Sequence, residues 1–236
     1  MILIKNGRLI DPLSKRDEIV DIAIKNDKIK QIGKNLCEKE FETVIDATGC
    51  VVAPGLIDIH VHFRDPGFTR KEDIFTGAKS AARGGFTTVV CMGNTKPVVD
   101  NEETLKYILD KGKQSDINVL QVSTVTKGLK GKELVDFDAM FKAGAIGFSD
   151  DGIPIKHTKF VYEAMKKAKE LNVPISLHEE NPVFITKAGV NEGKVSKALG
   201  LEGGAPSLAE NIMVSRDVMI ALETGAKVNI QHISSK

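Results

Sequence analysis

The chain has 236 residues, 42% hydrophobic and 28% charged, which is enough apolar content for a buried core and too much for a disordered segment. Thirty-three basic and 32 acidic residues leave a net charge of +1, without the basic excess or stripe of a nucleic-acid footprint. Three scattered cysteines, Cys37, Cys50 and Cys91, with no CxxC motif exclude a disulfide framework and a zinc knuckle. No run approaches the ~18 apolar residues of a membrane span, and the opening MILIKNG lacks a charged leader with a long apolar stretch. A soluble cytoplasmic protein with no nucleic-acid or membrane partner is the expectation.

Residues 1 to about 53 read as β structure. Segments 2–4, 19–24 and 29–32 are rich in isoleucine and valine and are separated by Asn-Gly, Asn-Asp and Gly-Lys turn signals. Asn6-Gly7 reads as a hairpin or tight turn, because glycine accepts positive φ without steric cost. We expect a small β-sandwich-like appendage over residues 1–53.

From Ala53-Pro54-Gly55 onward, strand-like and helix-like stretches alternate. Strands are expected near 56–62, 86–92, 117–124, 145–149, 173–178 and 227–232, with Cys91 a small buried residue of the second. Residues 159–171 carry Phe160, Val161, Ala164, Met165, Ala168 and Leu171 on one stripe with lysines opposite, the signature of an amphipathic helix. Residues 101–111 place Leu105, Ile108 and Leu109 on one face, with Asp100 as N-cap and Glu103 three residues on. The stretch Gly203-Gly204-Ala205-Pro206 reads as a loop before a helix near 208–224.

Repeated βα units mean a parallel sheet, open or closed into a barrel. Six strands are counted, and the sequence stops at Ser234-Ser235-Lys236, where another helix would begin. The fold class expected is α/β, a TIM-type (β/α) barrel over residues 54–236 with about six of its eight strands, as in an N-terminal portion of a longer protein.

The candidate functional residues fall at the C-terminal ends of these strands, the face where barrel enzymes keep their chemistry. His60 and His62 end the first; with period-two alternation their side chains share a face with Asp58. His178 ends the fifth strand and His232 the sixth, while the fourth runs into the acidic pair Asp150-Asp151. Neutral imidazoles at one point chelate a divalent cation. Two such ions need a bridging anion, for which a carboxylate such as Asp151 serves, and together they lower the pKa of a shared water. Arg64, two residues past His62, suits bidentate recognition of a carboxylate, or else a surface ion pair with Asp65 or Glu72. Asn94 follows the second strand and a glycine, the place of a turn residue. His157 reads as exposed or capping. Glu179 and Glu180 read as acids behind the ligands or as solvated loop residues, and 127–133 as a solvated lysine-rich loop. No Walker-type or GxGxxG phosphate loop is present.

The string GLIDIHVHFRDPG at 55–67 resembles the signature of dihydroorotases of the amidohydrolase superfamily. The likeness continues through GNTKP at 93–97, FSDDG at 148–152, HEEN at 178–181 and QHIS at 231–234, and includes the N-terminal IKNGRLIDP. The resemblance implies zinc, one or two ions: His60 and His62 on the first, His178 and His232 on the second, and Asp151 as the bridge, as in the class I bacterial type. It implies Arg64 and Asn94 as the groups that hold the substrate carboxylate. The implied reaction is reversible hydrolysis of the small-molecule substrate dihydroorotate to N-carbamoyl-L-aspartate in pyrimidine biosynthesis. The family's general acid/base aspartate lies on an eighth strand beyond this sequence, so the 236 residues alone are expected to have little activity. Implied protein partners are a second copy or aspartate carbamoyltransferase. The alternatives are a related cyclic amidase, such as an allantoinase or hydantoinase, and a non-catalytic dihydroorotase-like scaffold for the carbamoyltransferase.

Overall fold

The computed structural model describes residues 1–185, 189–201 and 204–235; Gly203 of the expected 203–206 loop and Lys236 lie outside them. The chain divides into two compact units, Met1–Leu56 and Ile57–Lys236. Among the described residues no helix is long and apolar enough to cross a membrane.

The first unit is built on β1 (Ile2–Asp11), β2 (Arg16–Lys25), β3 (Lys28–Gly33), β4 (Thr43–Asp46) and β5 (Val51–Val52). They form one mixed sheet in the order β3-β2-β1-β4, with β5 also on β1, and not two facing sheets. Antiparallel β2 and β3 are joined through Asn26 and Asp27, both at positive φ, the geometry a two-residue hairpin needs to match strand twist. Leu9, Val20 and Ile22 are buried beneath Ile4, Ile24, Ile32 and Val52. Asn6-Gly7 does not turn the chain. It lies inside β1, where the β1–β2 register shifts between Ile4 and Gly7 and Asn6 has φ 60. The Asn6 N–H donates to Asp21 Oδ1 at 2.9 Å, and a Cβ on Gly7 would meet Val52 Cγ2 at 2.5 Å. The glycine therefore serves close packing beside a bulge.

In the second unit strands and helices alternate: β6 (Leu56–Val61), α1 (Ile74–Arg83), β7 (Phe86–Cys91), α2 (Glu102–Gly112), β8 (Asn118–Gln121), α3 (Phe137–Lys142), α4 (Thr158–Glu170), β9 (Ile175–Leu177), α5 (Lys194–Ala198), α6 (Ser207–Thr224) and β10 (Val228–Ile230). β6, β7 and β8 are successive neighbours, and β9 pairs with β10. Residues 145–149 link the two groups, since Phe148 bridges Ser123 on one side and Ile175 on the other, both in parallel sense. The backbones lie close there: a Cβ on Gly147 would meet the Pro174 carbonyl oxygen at 2.8 Å. Pairing thus runs unbroken through six positions.

Alternation along β7 sets the two faces. Val89 and Cys91 pack under the helices with Ile74, Leu105, Ile108, Phe148 and Met165. Val90 and Met92 point the other way, into a second cluster with Val122, Leu120 and Ile146. Helix α4 buries Val161, Ala164, Met165 and Ala168, as its periodicity predicts. Helix α2 starts one residue later than its expected cap: Asn101, not Asp100, accepts the Thr104 N–H at 2.9 Å. Asp100 accepts instead from Gly128 N–H at 2.8 Å, and a side chain committed to a distant loop is lost to the helix end.

Candidate metal centre

His60 lies near the end of β6 and His62 just past it, so alternation aims both imidazoles into the same space. Their Nε2 atoms are 3.1 Å apart. From the far end of the sheet, His178 follows β9 and His232 follows β10, with His178 Nδ1 3.0 Å from His232 Nε2. The His60 and His232 rings lie 5.3 Å apart between centroids, so the first and last strand positions approach each other at this end. Asp151, 4% exposed, stands at the centre. Its Oδ2 is 3.3 Å from His62 Nε2, and its Oδ1 is 3.6 Å from His60 Nε2 and 3.5 Å from both His178 Nδ1 and His232 Nε2.

These five residues form two overlapping donor sets, His60–His62–Asp151 and Asp151–His178–His232, with the ligand atoms of each within 4.8 Å of one another. Two imidazole nitrogens at 3.0 Å share at most one proton. Repeating that contact twice around a buried carboxylate is an arrangement that a divalent cation relieves, and nitrogen and carboxylate donors are those zinc takes. The residues fit one or two such ions.

Hydrogen bonds behind the ring nitrogens fix which of them faces inward. Asn94 Nδ2 donates at 3.3 Å to both the Asp151 carbonyl and Asp151 Oδ2, so its Oδ1 is left to accept from His62 Nδ1 at 3.0 Å. That holds a proton on Nδ1 and turns a bare Nε2 toward Asp151. Glu180 Oε2 accepts from the His178 Nε2–H at 3.2 Å, which favours the tautomer whose Nδ1 is bare toward Asp151. Outer partners of this kind set the tautomer and raise the basicity of a ligand.

Burial alone would raise the Asp151 carboxyl, but in the metal-free protein a hydrogen bond from protonated His178 and the charges that His60 and His62 carry when protonated outweigh it and hold it down at about 2. Its contact with Asp151 raises His178, whereas burial lowers His60. Asp150 points the other way. Its Oδ1 accepts from Val125 N–H at 2.7 Å and Thr126 N–H at 3.0 Å, and desolvation pushes it up to about 6. It braces the neighbouring strand end and holds no place among the donors.

Arg64, two residues past His62, is half-buried, with φ 57. Among the described residues its guanidinium has no hydrogen-bond or ion-pair partner, and both acids offered by the sequence are engaged elsewhere: Asp65 by Lys111 and Tyr107, Glu72 by Thr76. His157 is exposed at the start of α4 without a capping bond. A cavity of about 190 Å³ opens beside His178 and His232, lined also by Glu180, Asn191, Ser207 and Glu210.

Of the two readings the sequence left open for Glu179 and Glu180, acids behind the ligands or solvated loop residues, the contact of Glu180 with His178 and the burial of Glu179 favour the first; Asp217 was missed. Glu180 sits two residues past His178, a same-face spacing that signals its contact. Asp217 follows Ala209 and Met213 at i+4 steps on the buried face of α6, and an acid in an apolar stripe is itself a signal. Its carboxylate, paired with Arg216, lies beside buried Glu179. Desolvation first, and then Asp217, push Glu179 up to about 8.

The model of the dihydro-orotase-like family matches residues 49–236. The chain belongs to that family. It is 63% identical over 235 residues to the dihydroorotase of Clostridioides difficile, covering 100% of this chain and 56% of that protein. It is 56% identical over 236 residues to the dihydroorotase of Clostridium acetobutylicum, covering 100% and 55%. The chain therefore spans about half the length of these relatives. Among solved structures, L-hydantoinase (dihydropyrimidinase) from Arthrobacter aurescens shares the fold with a TM-score of 0.78 at 24% identity, over 99% of this chain and 53% of that one. A crystal structure of D-hydantoinase matches with a TM-score of 0.72 at 24% identity, over 98% and 52%.

Proposed function

We propose that this protein is a zinc-dependent dihydroorotase, interconverting dihydroorotate and N-carbamoyl-L-aspartate in pyrimidine biosynthesis. The observation that carries this reading is the convergence of four imidazoles on one buried carboxylate in a chain of the dihydroorotase-like family. In this reading residues 1–53 form a β appendage and 54–236 belong to a TIM-type (β/α) barrel. His60, His62, Asp151, His178 and His232 would hold one or two zinc ions. When bound, such ions act as Lewis acids and make a nucleophile available at neutral pH.

This chain's own residues bind and orient the substrate and hold the ligand side chains in place. Hydrolysis breaks the ring C–N bond, adds hydroxyl to the carbonyl carbon and returns a proton to nitrogen. Arg64, two residues past His62 and with its guanidinium unengaged among the described residues, receives the substrate carboxylate and fixes the ring relative to the ligand cluster. Asn94 and Glu180 keep His62 and His178 in the tautomers that present bare nitrogens inward. Asp151, held ionised by its imidazole neighbours, would be a carboxylate ligand at that centre. Under the same reading the enzyme works in the cytoplasm, with a second copy or an aspartate carbamoyltransferase as its protein partner.

The test is turnover by the zinc-loaded full-length protein of dihydroorotate beside hydantoin and allantoin. Dihydroorotate should be preferred by about 100-fold or more in kcat/KM, since a site built for a charged group rejects rings lacking it. Preference for hydantoin or allantoin would refute the assignment. His60→Ala should lower bound zinc and turnover together; full zinc content in that variant would contradict its role.

A further inference from the structure

Arg64 is a non-glycine residue in the left-handed region, at φ 57, a conformation that persists only where the surroundings over-determine it. Both of its neighbours are pinned. Phe63, 8% exposed, lies so tightly on α1 that a Cβ on Gly77 would stand 2.4 Å from its ring. Asp65 has a fully buried side chain and is gripped from α2: Tyr107 Oη donates to Oδ1 at 3.0 Å and Lys111 Nζ to Oδ2 at 2.9 Å. The Lys111 ammonium is itself boxed by aromatic faces, 4.8 Å from the Tyr107 ring centroid and 5.8 Å from that of Phe75. A buried carboxylate is expensive unless paired and hydrogen-bonded, and this one spends both oxygens on holding a loop to a helix.

The same loop is also tied to the one that carries Asn94. Lys96 N–H donates to the Pro66 carbonyl at 3.1 Å, and a Cβ on Gly67 would fall 2.1 Å from the Lys96 carbonyl oxygen. The chain on either side of Arg64 is therefore fixed to α1, to α2 and to the 93–97 loop.

We propose that Asp65, Tyr107 and Lys111 form a positioning clamp that aims the Arg64 guanidinium, so that preference for an anionic cyclic amide is set partly by three residues that touch no substrate. The proposal rests on the reading of Arg64 as the carboxylate receptor. Lys111 and Tyr107 act through Asp65, and Asp65 acts through the backbone of Arg64. Loosening any of them lets the guanidinium wander, which weakens capture of the carboxylate and leaves the ligand cluster as it was.

The experiment compares Asp65→Asn, Tyr107→Phe, Lys111→Met and Arg64→Met in the zinc-loaded enzyme. It reads KM and kcat for dihydroorotate, the dissociation constant of orotate by calorimetry, turnover of dihydrouracil (a ring without the carboxylate), and zinc content. Asp65→Asn and Lys111→Met should each raise KM and the orotate dissociation constant by about tenfold, the scale of a small misplacement of a positioning group. The kcat, the dihydrouracil rate and the zinc content should stay near wild type, and neither change should add to Arg64→Met. A lower melting temperature with KM and orotate affinity unmoved, while Arg64→Met weakens both, would overturn the clamp and leave the arginine's role standing. If Arg64→Met itself changes neither quantity, the carboxylate reading fails and the clamp with it, an outcome the arginine variant identifies alone. Should Asp65→Asn not fold, Lys111→Met and Tyr107→Phe, at sites 30% and 42% exposed, decide the matter by the same comparison.

Discussion

Asp150 and Asp151 are adjacent, equally buried at 4% exposed, and driven in opposite directions. Asp151 faces imidazoles and falls to about 2. Asp150 faces backbone amides and a hydroxyl, partners too weak to offset desolvation, and rises to about 6. The consequence for stability follows from the sign of the second shift. A carboxyl whose folded pKa stands above its ordinary 3.8 contributes fully below that pH and loses its contribution as pH rises through about 6. An asparagine keeps the amide hydrogen bonds through its carbonyl oxygen and carries no charge. In metal-free protein, Asp150→Asn should therefore gain stability relative to wild type as pH rises from 3.8 to 6, measured by denaturant melts across that range. A difference that does not change with pH would contradict the account.

At the scale of single residues, much of the site was legible. Imidazoles at strand ends, spaced by two or by whole βα units, have few other uses, and all four candidates meet in space. The choice between Asp150 and Asp151 was not legible from spacing, since both end the same segment; it depends on which loop amides lie behind them. Asn94 was read as a turn residue or a substrate ligand, yet its amide spans His62 and Asp151, a contact across 57 residues that no local pattern announces.

Among the elements, period decided the outcome. The 3.6-residue stripe predicted at 159–171 corresponds to α4 at Thr158–Glu170, because packing of one apolar face dominates helix placement. Strands as short as β4 and β5 carry too little alternation to be seen, and their place in the first sheet comes from pairing with β1. The cap of α2 shows how a neighbouring loop can redirect a suitable side chain. Asn101→Ala should destabilise the protein by about 1 kcal/mol through the lost capping bond, and Asp100→Ala should leave that helix end intact; thermal melts separate the two, and the reverse ranking would restore Asp100 as cap. Gly77→Ala drives a methyl into the Phe63 ring and should cost about 1–3 kcal/mol from overpacking. An unchanged midpoint would show that α1 and Phe63 part easily.

For the whole molecule, strand order turns scattered residues into a cluster. Pairing runs from β6 to β10 through the bridges at Phe148, and the sheet bends until rings 172 residues apart, His60 and His232, stand edge to face. The repeated βα pattern implied such a gathering, whereas the tie between Asp65 and Lys111 depends on how α2 lies across the loop before it. If the cluster binds metal only when folded, a chelator should lower the melting temperature of the zinc-loaded protein, by about 2–4 °C for each kcal/mol of binding removed. Equal melting with and without chelator would argue against a resident ion.

The most direct measurement is anomalous diffraction at the zinc edge from crystals of the zinc-loaded protein. The account predicts one or two peaks within bonding distance of His60, His62, Asp151, His178 and His232, with Asp151 touching both ions where two are present. Zinc density elsewhere, or none at these five side chains in a stoichiometrically loaded crystal, would contradict it.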